Sequence, residues 1–425
     1  MHASKAVPAD QIDYVDLYTR WEHNNWSAMD IDFSQDKLDW DNKFDDFMRK
    51  AARWNYSLFF FGEDAVADNL SPYIDACPLE EQKYFVTTQQ VDEARHAIFF
   101  DRFFREVIGV DANSVGESLR STFPDLTWGL RKVFEMLDTV AGELRTDKSL
   151  PKLAQAITLY HLIVEATLAQ TGQHFITEYL TEMDMLPGFQ AGMVNVEKDE
   201  QRHIAFGVKM LRDLDQMDAE VRPAIREMLS NVLPYSLSVF RPPNDDERYV
   251  TVFGKTQLEI FETGERQLES RLSAAGLPLH GPNGVIPFRD PTMPYEDRAK
   301  RAQKLLQSGM MSQGTEPLKV DDEAMTYFFD IMKLAIRPDH GLKKPQTIQW
   351  DFKDVEPWHL TINNGSSEAH AGRAASPDLT FKVSLVDWLA ITSGQLNLVK
   401  AFATGRLRPS GSMRTLAQMP RIFER

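Results

Sequence analysis

The sequence predicts a mainly α protein: a bundle of long helices around a dinuclear metal site, followed by a small α+β domain. Three observations predict it. Apolar residues recur at helical spacing from about residue 36 to about residue 216. Inside that stretch two pentapeptides nearly repeat, DEARH at 92–96 and DEQRH at 199–203. After about Leu318 the pattern changes to short, strand-like runs mixed with short helices.

At 425 residues the chain exceeds one ordinary core, so two or three domains are expected. The net charge of −16 excludes an extended nucleic-acid surface, because phosphate binding needs clustered Lys and Arg. The acid is unevenly spread. From Glu316 onward there are 14 Lys+Arg and 13 Asp+Glu, a net of +1, which leaves 33 and 50, a net of −17, for the residues before it. Cys77 is the single cysteine, which excludes an internal disulfide and a thiolate metal cluster and makes a reducing cytoplasm the expected compartment. The first residues lack an apolar core of signal-peptide length, and SLFFF at 57–61 is too short to span a bilayer, so no transmembrane segment is expected.

Residues 1–36 read as polar and irregular. Helices are expected near 37–70, 79–107, 125–146, 150–182, 187–214, 217–235 and 245–274, separated by breakers such as Cys77-Pro78, Gly109 and Leu186-Pro187-Gly188. Long helices with short connections read as a bundle. The domains expected are 1–275 for the bundle, 276–317 for a Pro- and Gly-rich linker with a short helix near 296–308, and 318–425 for the α+β unit. In that unit a helix is expected at 322–336, strands at 347–352, 358–363, 368–373 and 378–384, a hairpin turn at Asn363-Asn364-Gly365, and short helices at 385–391 and 397–404.

Each pentapeptide sets a Glu and a His at i and i+3: Glu93 with His96, and Glu200 with His203. On a helix that spacing places both side chains on one face, about 60° apart. The face is otherwise apolar, continued by Phe85, Phe100 and Phe103 in one helix and by Met193, Val196 and Met210 in the other. Two more carboxylates interrupt apolar stripes: Glu63, among Phe59, Val66 and Leu70, and Glu165, within LIVEATL. Burying a bare carboxylate costs roughly several kcal/mol, so these residues need partners. One Glu from each of two helices and Glu-x-x-His from each of two others is the ligand set of dinuclear carboxylate bundles. A single Glu-x-x-His is more often a solvated pair; two matched copies plus two core glutamates are not readily matched by chance. Asp92 and Asp199, just before the ligand glutamates, could accept from the histidines or be ordinary surface acids. Arg95 and Arg202 could neutralise the acidic cluster or sit on the solvated face.

Taken in order, WSAMDIDFSQD (26–36), FGEDAV (61–66), DEARH, LYHLIVEATLAQTG (159–172) and DEQRHIAFG (199–207) resemble the ribonucleotide reductase small-subunit superfamily of ferritin-like proteins. More narrowly they resemble its ligand-binding oxidase branch. The resemblance implies a manganese and iron cofactor, or two irons, that activates dioxygen beneath a pocket for a long-chain fatty acid. It implies that Glu63, Glu93 and His96 hold the first metal, that Glu165, Glu200 and His203 hold the second, and that Glu93 bridges. It implies an ether cross-link between Val66 and Tyr160, and a homodimer. Val66 shares the face of Glu63. Tyr160 precedes Glu165 by five residues, about 140° around an ideal α-helix, so spacing alone does not bring it to the site. The reductases carry a radical-forming tyrosine where this chain has Phe100. His161 has no counterpart in the pattern; it reads as a donor to a ligand or as a core histidine bonded to backbone. Gln173 and His174 stand where aromatic residues are expected.

Residues 378–413, with a strand, a helix and a G-x-L-x-x-x-G phrase in order, resemble the sterol carrier protein type 2 family. That implies a tunnel for lipid, against a simple scaffolding domain. The combined reading is an oxygen-dependent oxidase acting on an apolar, acyl-chain-like ligand. Two alternatives stand beside it: a radical-generating reductase subunit, and a non-catalytic lipid-binding protein whose metals oxidise only the protein itself.

Overall fold

The computed structural model describes residues 6–281, 283–312, 317–337, 340–363 and 366–423. They fall into two compact units, Met1–Val285 and Ile286–Arg425.

The first unit is helical. Its principal helices are α1 (Tyr14–His23), α2 (Asp46–Asn69), α3 (Glu80–Phe103), α4 (Trp128–Leu144), α5 (Leu150–Ile157), α6 (Gln170–Glu182), α7 (Pro187–Met217), α8 (Val221–Val239) and α9 (Gln257–Ala274). Helix α1 corrects the expectation of an irregular start: Asp13 caps it by accepting from Asp16 N–H, and Tyr14 and Leu17 are buried one turn apart. Two expected helices are each broken in two by a capping residue. Ser34–Asn42 ends before Asp45 caps α2, and Arg248–Thr251 ends before the Thr256/Glu259 capping box opens α9. Pro187 starts α7, and the buried Asp36 side chain accepts from the free Gly188 and Phe189 N–H groups there at 2.8 and 2.6 Å.

Between α5 and α6 the chain stays helical but widens. Thr158–Ala169 is a π-helix, and Phe104–Ile108 after α3 is another. All eleven residues from Thr158 to Leu168 are buried, so this stretch crosses the middle of the bundle. Glycines on α7 let it approach its neighbours closely: a Cβ on Gly207 would lie 2.3 Å from His161 Cβ on this stretch, and one on Gly192 would lie 2.1 Å from the Phe99 ring on α3.

The second unit is a five-stranded sheet with helices. The strands are β1 (Gln346–Phe352), β2 (Trp358–Asn363), β3 (Ser366–Ala371), β4 (Leu379–Val383) and β5 (Arg408–Gly411), in spatial order β3-β2-β1-β4-β5. β1 and β4 are parallel; the other neighbours are antiparallel. Asn364 and Gly365 of the expected hairpin turn lie outside the described residues. Helices α10 (Tyr295–Gln307), α11 (Asp322–Leu334), α12 (Leu385–Thr392), α13 (Leu398–Ala403) and α14 (Met413–Ile422) complete the unit. Its core gathers Phe329, Trp350, Trp358, Phe381 and Trp388, joined by Leu305 from α10. In the G-x-L-x-x-x-G phrase, Leu407 is buried, and Gly411 has φ +104° with Asp378 O only 2.4 Å from where a Cβ would stand. No helix among the described residues is long and apolar enough to cross a membrane.

Candidate metal centre

Glu63 comes from α2, Glu93 and His96 from α3, Glu165 from the π-helix, and Glu200 and His203 from α7. All six are at most 5% exposed. They form two overlapping sets. Ligand atoms of Glu63, Glu93, His96 and Glu200 lie within 4.8 Å of one another, and so do those of Glu93, Glu165, Glu200 and His203. Glu93 and Glu200 belong to both.

The two imidazoles are oriented alike. His96 Nδ1 faces inward, 3.1 Å from Glu63 Oε2 and 3.5 Å from Glu93 Oε2. His203 Nδ1 lies 3.2 Å from both Glu93 Oε1 and Glu165 Oε1. The outward Nε2 atoms are taken by the aspartates, and the pairing is crossed. His96 Nε2 meets Asp199 Oδ2 at 3.1 Å, and His203 Nε2 meets Asp92 Oδ2 at 3.1 Å. Each pentapeptide's aspartate thus fixes the other's imidazole, leaving Nδ1 free for an ion. Trp21 Nε1–H donates to Asp92 and Trp26 Nε1–H to Asp199, each at 2.8 Å. Arg202 is buried and donates to both aspartates, so it belongs to the centre and not to a solvated face; Arg95 donates to Asp92.

Four carboxylates around two imidazoles carry more negative charge than the protein balances. Burial pushes Glu63 and Glu165 up to about 7 and Glu200 well above its usual range. Burial also opposes ionisation of Glu93, but hydrogen bonds and charge from His203 and His96 outweigh it and hold Glu93 well below. The histidines are pulled above their usual range, against burial, by the carboxylates around them. Glu165 Oε2 and Glu200 Oε2 are buried without a hydrogen-bond partner among the described residues. Such orphaned polar atoms, in a mixed oxygen and imidazole donor set, fit a pair of divalent cations.

The π-helix settles where Tyr160 lies. Bonding from i to i+5 widens the turn, so residues five apart come back to nearly one side. Tyr160 O–H donates to Glu93 Oε1 at 2.6 Å. Gln89, one turn before Glu93 on α3, donates from Nε2 to Tyr160 Oη and to Glu165 Oε1, each at 2.9 Å. His161 Nε2 lies 3.1 Å from Gln89 Oε1. That carbonyl can only accept, so His161 donates and thereby fixes the amide with its NH₂ toward Tyr160 and Glu165. Burial pushes the His161 imidazole down to about 3, so it is neutral. Gln89, Trp21 and Trp26 are missing from the residues singled out in the sequence. Gln89 had a signal, a polar residue on the stripe of Phe85, Glu93 and His96; Trp26 opens the WSAMDIDFSQD motif, which gave it no role, and Trp21 had no signal.

Val66 and Tyr160 line one cleft, together with Glu63, Glu93, Glu165 and Glu200. Asn55 apart, its other walls, including Leu58, Phe59, Leu130, Phe134 and Leu168, are apolar. Phe100 is fully buried, its ring parallel to Phe59 at 6.2 Å. Of the two departures from the aromatic pattern, Gln173 is buried and His174 is exposed, 4.0 Å from Glu178.

Residues 5–235 match the family model described as ribonucleotide reductase, small chain, and residues 340–424 match the SCP-2 sterol transfer family. Among solved structures, the fold resembles variants of an R2-like ligand-binding oxidase. One with an anaerobically reconstituted Mn/Fe cofactor is 24% identical, over 62% of this chain and 93% of that one, with TM-score 0.54. A second anaerobically reconstituted variant gives 23%, 62%, 94% and 0.52, and an aerobically reconstituted one 24%, 62%, 93% and 0.54. At these identities the likeness is one of fold.

Proposed function

The chain belongs to the ribonucleotide reductase small-chain family over residues 5–235, and on that premise we propose that it is an oxygen-dependent oxidase of an apolar, fatty-acid-like ligand. The observation that carries this reading is that two overlapping buried ligand sets open onto a cleft whose remaining walls, Asn55 and Tyr160 apart, are apolar. Glu63, Glu93 and His96 would hold one metal and Glu165, Glu200 and His203 the other, with Glu93 shared. The solved oxidases of like fold carry manganese and iron. That pair, when bound, would supply the reduction of dioxygen and the oxidation of a nearby C–H bond.

The chain's own residues do the rest. Leu58, Phe134 and Leu168 exclude water from the cleft and seat an acyl chain. Asp92 and Asp199 hold the imidazoles in one tautomer. Gln89 holds the Tyr160 oxygen while Glu93 accepts the hydrogen bond of its O–H. We assign an ether bond between Tyr160 Oη and a side-chain carbon of Val66: the O–H and C–H bonds break, and two electrons and two protons pass to dioxygen. Phe100, a hydrocarbon ring where the reductases have a redox tyrosine, supports an oxidase over a radical generator. The second unit would hold or hand on the same class of ligand, as its family's name suggests.

The test is peptide mass spectrometry after manganese and iron loading, with and without oxygen. An oxygen-dependent joined pair containing Val66 and Tyr160, lighter by two hydrogens, supports the reading. Separate peptides after full loading in oxygen reject the cross-link. Lipid extracted from the same sample identifies the ligand; release of oxidised lipid over repeated turnovers separates an enzyme from a protein that oxidises only itself.

A further inference from the structure

A second cleft in the first unit shares none of the acyl-type cleft's lining residues. Leu17, Ile204 and Val208 supply apolar wall, and Arg20, Lys198, Arg202 and Arg271 supply positive charge. Two of these cations are buried: Arg271 is 7% exposed and Arg202 is 6% exposed.

Among the described residues Arg271 has no counter-ion. Its Nη2 donates to the neutral Gln170 Oε1 at 3.0 Å, and its Nε–H has no partner. Burial lowers its proton affinity with no acid opposing the shift. Arg202 uses one edge only. Its Nη2 holds Asp92 and Asp199, while Nε and Nη1 have no partner. A buried guanidinium left without an anion is costly, and removing its charge by deprotonation is not open to arginine. Planar N–H forks match oxyanions.

We propose that this cleft binds a small organic oxyanion, its charged head between Arg271 and the free edge of Arg202 and its apolar body against Leu17, Ile204 and Val208. Lys198, exposed at the same cleft, would draw the anion in. Because Arg202 also grips the two aspartates behind the histidines, the site would abut the support of the metal centre.

The experiment is calorimetric titration of the metal-loaded full chain with octanoate, inorganic phosphate and octanol, repeated on Arg271→Gln and Lys198→Glu. Saturable binding of octanoate or phosphate that weakens about tenfold or more in R271Q, as losing a charged hydrogen bond predicts, supports the site. Octanoate binding above phosphate assigns an organic carboxylate; phosphate alone assigns a phosphorylated ligand. Binding unchanged in both variants, or octanol bound as well as octanoate at an Arg271-dependent site, overturns it. Circular dichroism and metal content check that R271Q is folded. If it is not, K198E, a surface change, decides: undiminished anion binding there rejects the proposal.

Discussion

The residues behind the ligands decide how the centre works. Asp199 ties down His96 and Asp92 ties down His203. Removing such a carboxylate from a metal-bound imidazole typically costs about 10–100-fold in metal affinity. Asp199→Asn should therefore weaken the site of Glu63 and His96 first, and Asp92→Asn the site of Glu165 and His203, read as metal stoichiometry in a titration. Gln89→Leu makes a separate prediction. It removes the amide that holds Tyr160 Oη and orphans His161 Nε2, costing about 1–3 kcal/mol of stability. The metals should still bind, and the yield of the joined Val66–Tyr160 peptide should fall. The carboxylates and histidines were legible because a charged group on an apolar stripe is a contradiction that only a partner resolves. Gln89 was harder to see because an amide on such a stripe contradicts little.

At the scale of elements, the π-helix is what the sequence did not announce. Nothing in TLYHLIVEATLA departs from ordinary helical composition, and α-helical geometry put Tyr160 about 140° from Glu165. The wider turn exists only because its neighbours pack around it. Gly207 on α7 is the clearest of these contacts, with His161 Cβ where its own Cβ would stand. Alanine in a helix ordinarily gains about 1 kcal/mol over glycine. Gly207→Ala should instead lose about 1–3 kcal/mol, the usual cost of overpacking, and lower the melting temperature. A rise in melting temperature would show that the π-helix moves aside freely. Helix α1 went unread for another reason: ten residues give too few turns for periodicity to stand out.

For the whole molecule, the carboxylate cluster sets a pH dependence. Glu63 and Glu165 rise to about 7 in the fold, and Glu200 and both histidines rise well above their ordinary values. The metal-free fold therefore binds more protons than the unfolded chain between about pH 5 and 8, and its stability falls as pH rises through that window. Glu93, held low, is ionised in both states there and contributes no slope. Metal-free protein should melt at a lower temperature at about pH 8 than at about pH 5.5. Cations replace those protons, so the loaded protein should lose this dependence, and loading should release protons measurable in weakly buffered solution.

The crossed aspartates carry a consequence for any attempt to move this chemistry elsewhere. DEARH and DEQRH look like two copies of one portable cassette, each with its own acid, base and aspartate. They are not self-sufficient, since the aspartate each carries serves the imidazole of its twin. Grafting one pentapeptide onto a foreign helix would transplant a glutamate and a histidine but leave that histidine's ring without its anchor. The smallest heritable unit of this centre is the pair of helices, and drift in either one is felt first by the metal that the other holds.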